Sequence, residues 1–166
     1  MNDHDHDLST WSLERLAALA EDGEWLESIR VVAQGHAYVD DQPEEVRRRW
    51  AALALSANRR MGGDALGARE LHQDFTLRMW VIDTLGPHPD WSPNTLAHDT
   101  LDALTLTPTQ AEALARDWRD RPIEVIRDLR RHKNLTAHLD RLLSHLGPGP
   151  THDRLLPWTQ IRRLLP

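Results

Sequence analysis

Residues 107–118, TPTQAEALARDW, decide the structural class of this chain. Thr107 stands where a helix cap can accept a backbone N–H, and Gln110 sits at the reciprocal capping-box position. Pro108 falls at the first helical position, where its missing N–H costs nothing and its φ is already set. Behind them Ala111, Leu114 and Trp118 recur at helical spacing. The same punctuation appears at Gln42-Pro43, Ser92-Pro93 and Arg121-Pro122, and Glu44 and Glu45 after Pro43 favour the positive end of a helix dipole.

Working outward, the apolar stripes agree. Leu13, Leu16, Ala17 and Ala20 share one face and stop at Asp22-Gly23. Trp25, Leu26, Ile29 and Val32 form a second stripe, and Val46, Trp50, Leu53 and Ala57 a third. Leu71, Phe75, Met79 and Ile82 make a fourth, Leu96, Leu101 and Leu104 a fifth, and the Ala111 segment a sixth. Ile126, Leu129, Leu135, Leu139, Leu142 and Leu146 complete a seventh, read as one helix over 122–146. No strand alternation competes with these patterns. The expectation is an all-α fold of about seven helices packed as helical hairpins, in a bundle or short solenoid. Residues 1–8 read as a disordered acidic tail and 9–147 as a single helical domain. The stretch GPHPDWS at 86–92 marks the place for a sub-boundary. Residues 148–166 form a C-terminal apolar and basic tail, which Pro157 prevents from being one uninterrupted helix.

Composition bounds the function. The chain of 166 residues is 40% apolar and 28% charged, a globular balance. Its seven tryptophans are spread along the length, which suits anchors shared among several elements. Cysteine is absent, so disulfides and thiolate metal sites are excluded. The longest apolar run, Trp50 to Leu55, is far short of the ~20 residues of a membrane span. The opening MNDHDHD lacks the basic and apolar regions of a secretory signal, so a cytoplasmic location and no membrane partner are expected. The formal charge of −6 argues against a dedicated nucleic-acid binder. The charge is uneven, however: residues 1–111 hold 19 acidic and 9 basic side chains, residues 112–166 hold 7 and 11. A basic C-terminal third suits an acidic partner or RNA.

Two helix–turn–helix junctions share a form, EDGEWLES with Gly23 at the turn and GGDALGAR with Gly63 at the turn. Glycine there takes the left-handed conformation that ends one helix before the next begins, and Gly67-Ala68 offer a small face for close helix approach. The pattern resembles tetratricopeptide-type helical hairpins. It also resembles, over residues 12–76, a bacterial helical family known as domain of unknown function 309. Gly23, Trp25 and Glu27 match that family's Gly-x-aromatic-x-Glu stretch, with Ile29 and Arg30 where its His-Glu pair belongs. Gly63, Gly67 and Ala68 match its later turn, with Asp64 in place of Asn. The resemblance implies a helical-hairpin fold and carries over no activity.

The stretch RRHKNLTAH, 130–138, concentrates the reactive side-chain types. On one continuous helix Arg131, His138 and His145 recur every seven residues and lie within about 20° of each other. The string from Lys133 to His138 is similar to the signature of the HEPN ribonucleases (higher eukaryote and prokaryote nucleotide-binding domains). That resemblance implies Asn134 and His138 as site residues, Arg131 or Lys133 as the cation, and a homodimeric, metal-independent cleavage of RNA. Lysine stands where the family carries arginine, and an ammonium cannot form the bidentate fork that grips a phosphate. The plain alternative is a solvated basic face with His138 at the core's border.

Other chemistry is thin. His4 and His6 among Asp3, Asp5 and Asp7, and the pair His98 and Asp102, fall short of a metal-ligand set, as do Glu70, His72 and Asp74. No metal site or cofactor is expected. No nucleophile elbow or phosphate loop is present, and acidic residues among the arginines of 107–133 weigh against a DNA-reading helix pair. The principal expectation is a non-enzymatic helical interaction or regulatory protein that binds a macromolecular partner. Its surface would comprise Trp25, Trp50 and the tail residues Leu155, Leu156, Trp158, Ile161 and Leu164, with a protein partner or a second copy as occupant. The alternatives are the ribonuclease or an inactive relative, and RNA or DNA binding through Arg127, Arg130, Arg131 and Lys133.

Overall fold

The computed structural model describes residues 8–63 and 66–166. Residues 1–7, with the acidic tail and its two histidines, lie outside the described residues, as does Asp64. Leu8, assigned to that tail from sequence, is instead buried at the start of a short 3-10 turn, Leu8–Thr10. Among the described residues the chain is all-α. Its helices are α1 (Leu13–Glu21), α2 (Leu26–Tyr38), α3 (Glu44–Gly62), α4 (Ala68–Leu85), α5 (Pro93–Ala103), α6 (Pro108–Ala115), α7 (Ile123–Leu135), α8 (Leu139–His145), α9 (Pro150–Leu155) and α10 (Trp158–Ile161). The number exceeds seven because the segment 122–146 is two helices, and because the tail holds two short ones on either side of Leu156-Pro157. Two compact units result, Met1–Leu77 and Arg78–Pro166. The sub-boundary read at 86–92 lies inside the second unit, where His88 and Trp91 close a tight turn.

The cap signals translate directly. Ser92 accepts from Thr95 N, Thr107 and Gln110 form the complete capping box, and Ser12, not read from sequence as a cap, accepts from Arg15 N. Pro93 and Pro108 open their helices, whereas Pro43 and Pro122 sit one residue outside, at the cap. The first glycine turn is a Schellman closure. Gly23 has φ +80°, its N–H donates to Ala20 O, and the Glu24 N–H donates to Leu19 O.

In the first unit α2 and α3 make a tightly packed hairpin. Ile29, Ala33 and Ala37 on α2 and Ala51, Ala54 and Ala57 on α3 are fully buried, and small side chains let two helix backbones come close. Among the described residues the close approach expected at Gly67 is not made. A Cβ there would meet only the Glu70 carboxylate, the mobile end of a side chain one turn away. At the end of α2, the buried Arg47 donates from Nε to Ala37 O at 2.9 Å and from Nη2 to Asp40 at 3.0 Å. Of these two bonds the first matters more, because Asp40 is 93% exposed and its ion pair is screened by water.

In the second unit Leu96, Ala97, Leu129, Leu135, Leu139, Leu142 and Leu155 form a fully buried core. The segment 148–166 belongs to it: α9 packs on α5 and α8, and α10 on α6 and α8.

Arg47→Met is therefore expected to lower the stability measured by chemical denaturation by about 1.5–3 kcal/mol, the worth of a charged hydrogen bond to a buried carbonyl. Asp40→Asn is expected to cost below about 1 kcal/mol. Equal losses from the two would remove the assignment of Arg47 as the closure of α2.

Candidate functional site

The segment 130–138 does not continue as one helical ridge. Helix α7 stops at Leu135, and residues 136–138 form a turn before α8. Thr136 causes part of this, since its buried hydroxyl donates back to His132 O at 2.8 Å and competes with the helical ladder. Arg162 completes it by donating from Nη1 to Thr136 O at 3.0 Å and to Ala137 O at 2.9 Å. Arg131, His138 and His145 thus lose their common stripe.

His138 is 5% exposed and turned inward. Its Nε2 lies 3.2 Å from Thr100 Oγ1, whose own proton goes to Leu96 O at 2.8 Å, so the histidine donates. Asn134 faces outward. The imidazole and the outward Asn134 and Lys133 therefore do not converge on a common open face, as the ribonuclease assignment of Arg131, Lys133, Asn134 and His138 requires. Lys133 donates to Leu165 O at 2.9 Å, which commits it to the C-terminal segment. Arg127 and Arg130 are exposed along α7, while Arg131 is half-buried.

His145 does form a pair, through Nε2 to Asp83 Oδ1 at 2.8 Å, with Arg141 on the other oxygen at 3.1 Å. Arg141 balances the carboxylate, and no nucleophile stands in this group.

The histidine that organises the region is His132, between Arg131 and Lys133. It lies fully buried among Leu129 and Leu135, on the leucine stripe itself, and that spacing is the signal that marks it. Its Nδ1–H donates to Asp128 O at 2.8 Å. Its Nε2 accepts from the backbone N–H of Thr105 and of Leu106, each at 3.1 Å. Trp158 stacks on the ring, with centroids 5.5 Å apart. A ring whose Nε2 receives two N–H donors is neutral. Burial pushes its pKa below 6.5, and the Arg131 charge acts in the same direction, against the weaker opposite pull of Asp128.

The expected partner residues divide sharply. Trp50 is 7% exposed and covered by His36, stacked at 4.4 Å. Leu155, Trp158 and Ile161 are buried in the second unit. These four are corrected from surface contacts to core, because helix packing within the chain already uses their apolar faces. Trp25, Leu156 and Leu164 remain about half exposed.

Trp25 has φ +57°, a left-handed conformation that is strained for a bulky residue. It precedes α2, whose outward face carries Val31 and Tyr38, with Val39 just beyond. The polar residues between them form a ladder. Arg30 donates to Glu27 and to Gln34 Oε1 (2.9 Å), and Gln34 donates to Tyr38 Oη at 2.7 Å. Arg69 adds a second cation to Glu27, and the Arg30 guanidinium holds that carboxyl below its ordinary pKa. Among the described residues no three His, Asp or Glu side chains cluster as a metal site, and no helix is long and apolar enough to cross a membrane.

No family model matches the chain, and neither a curated protein nor a solved structure shows significant similarity to it.

Because the folded state holds His132 neutral while the unfolded chain protonates it near pH 6.5, its contribution is complete above about pH 6.5 and is lost as pH falls. Denaturation midpoints measured between pH 7.5 and 5 are expected to decline on the acid side. His132→Phe keeps a ring against Trp158 but strands two N–H donors, at a cost of about 1–3 kcal/mol. The variant is expected to show a flatter decline over the same range. An unchanged slope would sink the assignment.

Proposed function

We propose that this protein is a non-enzymatic helical interaction protein that binds a protein partner through the outer face of α2. The observation that carries this reading is the grouping of exposed large apolar side chains. Of seven such residues among the described ones, four (Trp25, Val31, Tyr38 and Val39) lie on or beside this one helix. Isolated surface apolar residues need no explanation, whereas several gathered on one helix and its ends suit a contact surface. The Glu27–Arg30–Gln34–Tyr38 ladder supports the same reading. It satisfies the polar groups locally and restrains their side chains, so less ordering remains to be done when a partner docks. The spacing of Val31 and Tyr38 at seven residues is the spacing of anchors by which one helix meets another. Trp25 adds a large, half-exposed ring at the N-terminal end of the helix.

The test places a photo-crosslinking amino acid at position 31, with position 123 as an exposed control away from α2, and illuminates cells producing the full chain. A discrete adduct at 31 and none at 123 is the expected result, and an adduct of twice the chain's mass would identify the partner as a second copy. Val31→Arg is expected to change stability by less than about 0.5 kcal/mol, being a surface substitution, and to abolish the adduct formed from position 25. Adducts of equal yield at 31 and 123, or none at either, would overturn the reading.

A further inference from the structure

At the C-terminal end of α7 three cations draw together in a way the α2 reading does not use. Lys133, Arg162 and Arg163, with Ala137 as the only other lining residue, surround an open hollow of about 290 Å3. Two of the three are held rigidly. Lys133 is anchored by its bond to Leu165 O, and Arg162 by its bonds to Thr136 O and Ala137 O. The anchors do not exhaust them, because an ammonium has three N–H donors and Lys133 spends one on the protein. Arg163 is exposed, and its guanidinium meets no carboxylate among the described residues. Among the described residues the carboxylate paired with these cations is Asp140, 3.1 Å from Arg162 Nη2, and Arg162 also covers two carbonyls. One carboxylate against three cations leaves the hollow positive.

We propose that this hollow binds a phosphate-type oxyanion carried by a small ligand. Arginine offers the planar fork that matches two oxygens of such a group, and lysine a point charge for a third. Holding Lys133 and Arg162 in place beforehand reduces the side-chain ordering that binding would otherwise require. The chemistry favours a compact anion over a nucleic-acid strand. No aromatic ring lines the hollow to stack a base, and Trp158, whose ring lies against His132, is itself buried.

Titration calorimetry of the full chain tests this with inorganic phosphate, pyrophosphate and a short single-stranded oligoribonucleotide, each at low and moderate salt. Saturable one-to-one binding is expected for phosphate, tighter for pyrophosphate. Arg163→Gln is expected to weaken pyrophosphate roughly tenfold through loss of a charge-assisted bond. Its melting curve should stay unchanged, because Arg163 anchors nothing in the fold. Arg121→Gln, an exposed arginine away from the hollow, should bind as the wild type does. Absence of saturable binding, or an Arg163→Gln variant with undiminished affinity, overturns the proposal. So does an oligoribonucleotide bound more tightly than pyrophosphate with a steep salt dependence, which would assign the basic face to a polyanionic strand.

Discussion

The imidazole of His132 is the point on which the second unit's loops and short helices depend. One buried ring ties α7 to the turn between α5 and α6 through two backbone N–H groups, and supports the Trp158 ring of α10 by stacking. Each contact alone is modest. The cost of leaving them unmade is larger, since a buried N–H without an acceptor loses its hydration and gains nothing in return. That asymmetry explains a histidine in the middle of a leucine stripe, where an apolar side chain would pack equally well and strand two donors.

A second constraint recurs through both units. The last carbonyls of a helix have no partner within it, and here basic side chains from elsewhere in the chain supply the donors. Arg60 donates to Glu21 O at the end of α1, Arg47 to Ala37 O at the end of α2, and Arg162 to Thr136 O and Ala137 O after α7. Lys133 donates to Leu165 O, a carbonyl beyond the last helix. Each of the three arginines also suits the negative end of a helix dipole. Three of the chain's arginines are thus committed to helix ends, while Arg127 and Arg130 stay exposed along α7. The acidic balance of the first unit is met partly by exposed pairs such as Arg49 with Glu14 and Arg69 with Glu27.

Local signals proved the most readable. The Ser92 and Thr107 starts, with Pro93 and Pro108 behind them, and the Gly23 turn all depend on residues within four positions of one another. The break at 136–138 was not readable, because half of its cause is a guanidinium 25 residues further on. For the same reason Trp50, Leu155, Trp158 and Ile161 were taken for surface. An apolar stripe announces that a face is buried without naming what buries it. The outward face of α2 was only partly visible: Trp25 was singled out, while Val31 and Tyr38 fell between the stripes.

The sequence by itself determined that the chain is helical, where most helices begin, and that cysteine chemistry and a membrane-spanning helix are absent, because capping, periodicity and composition act within a few residues. Only the tertiary structure decided which histidine is buried as a neutral pin, which arginines close helix ends, and which aromatic rings remain in contact with water. Those outcomes rest on donors and acceptors brought together from distant parts of the chain, and on the cost of any buried polar group that packing leaves without a partner.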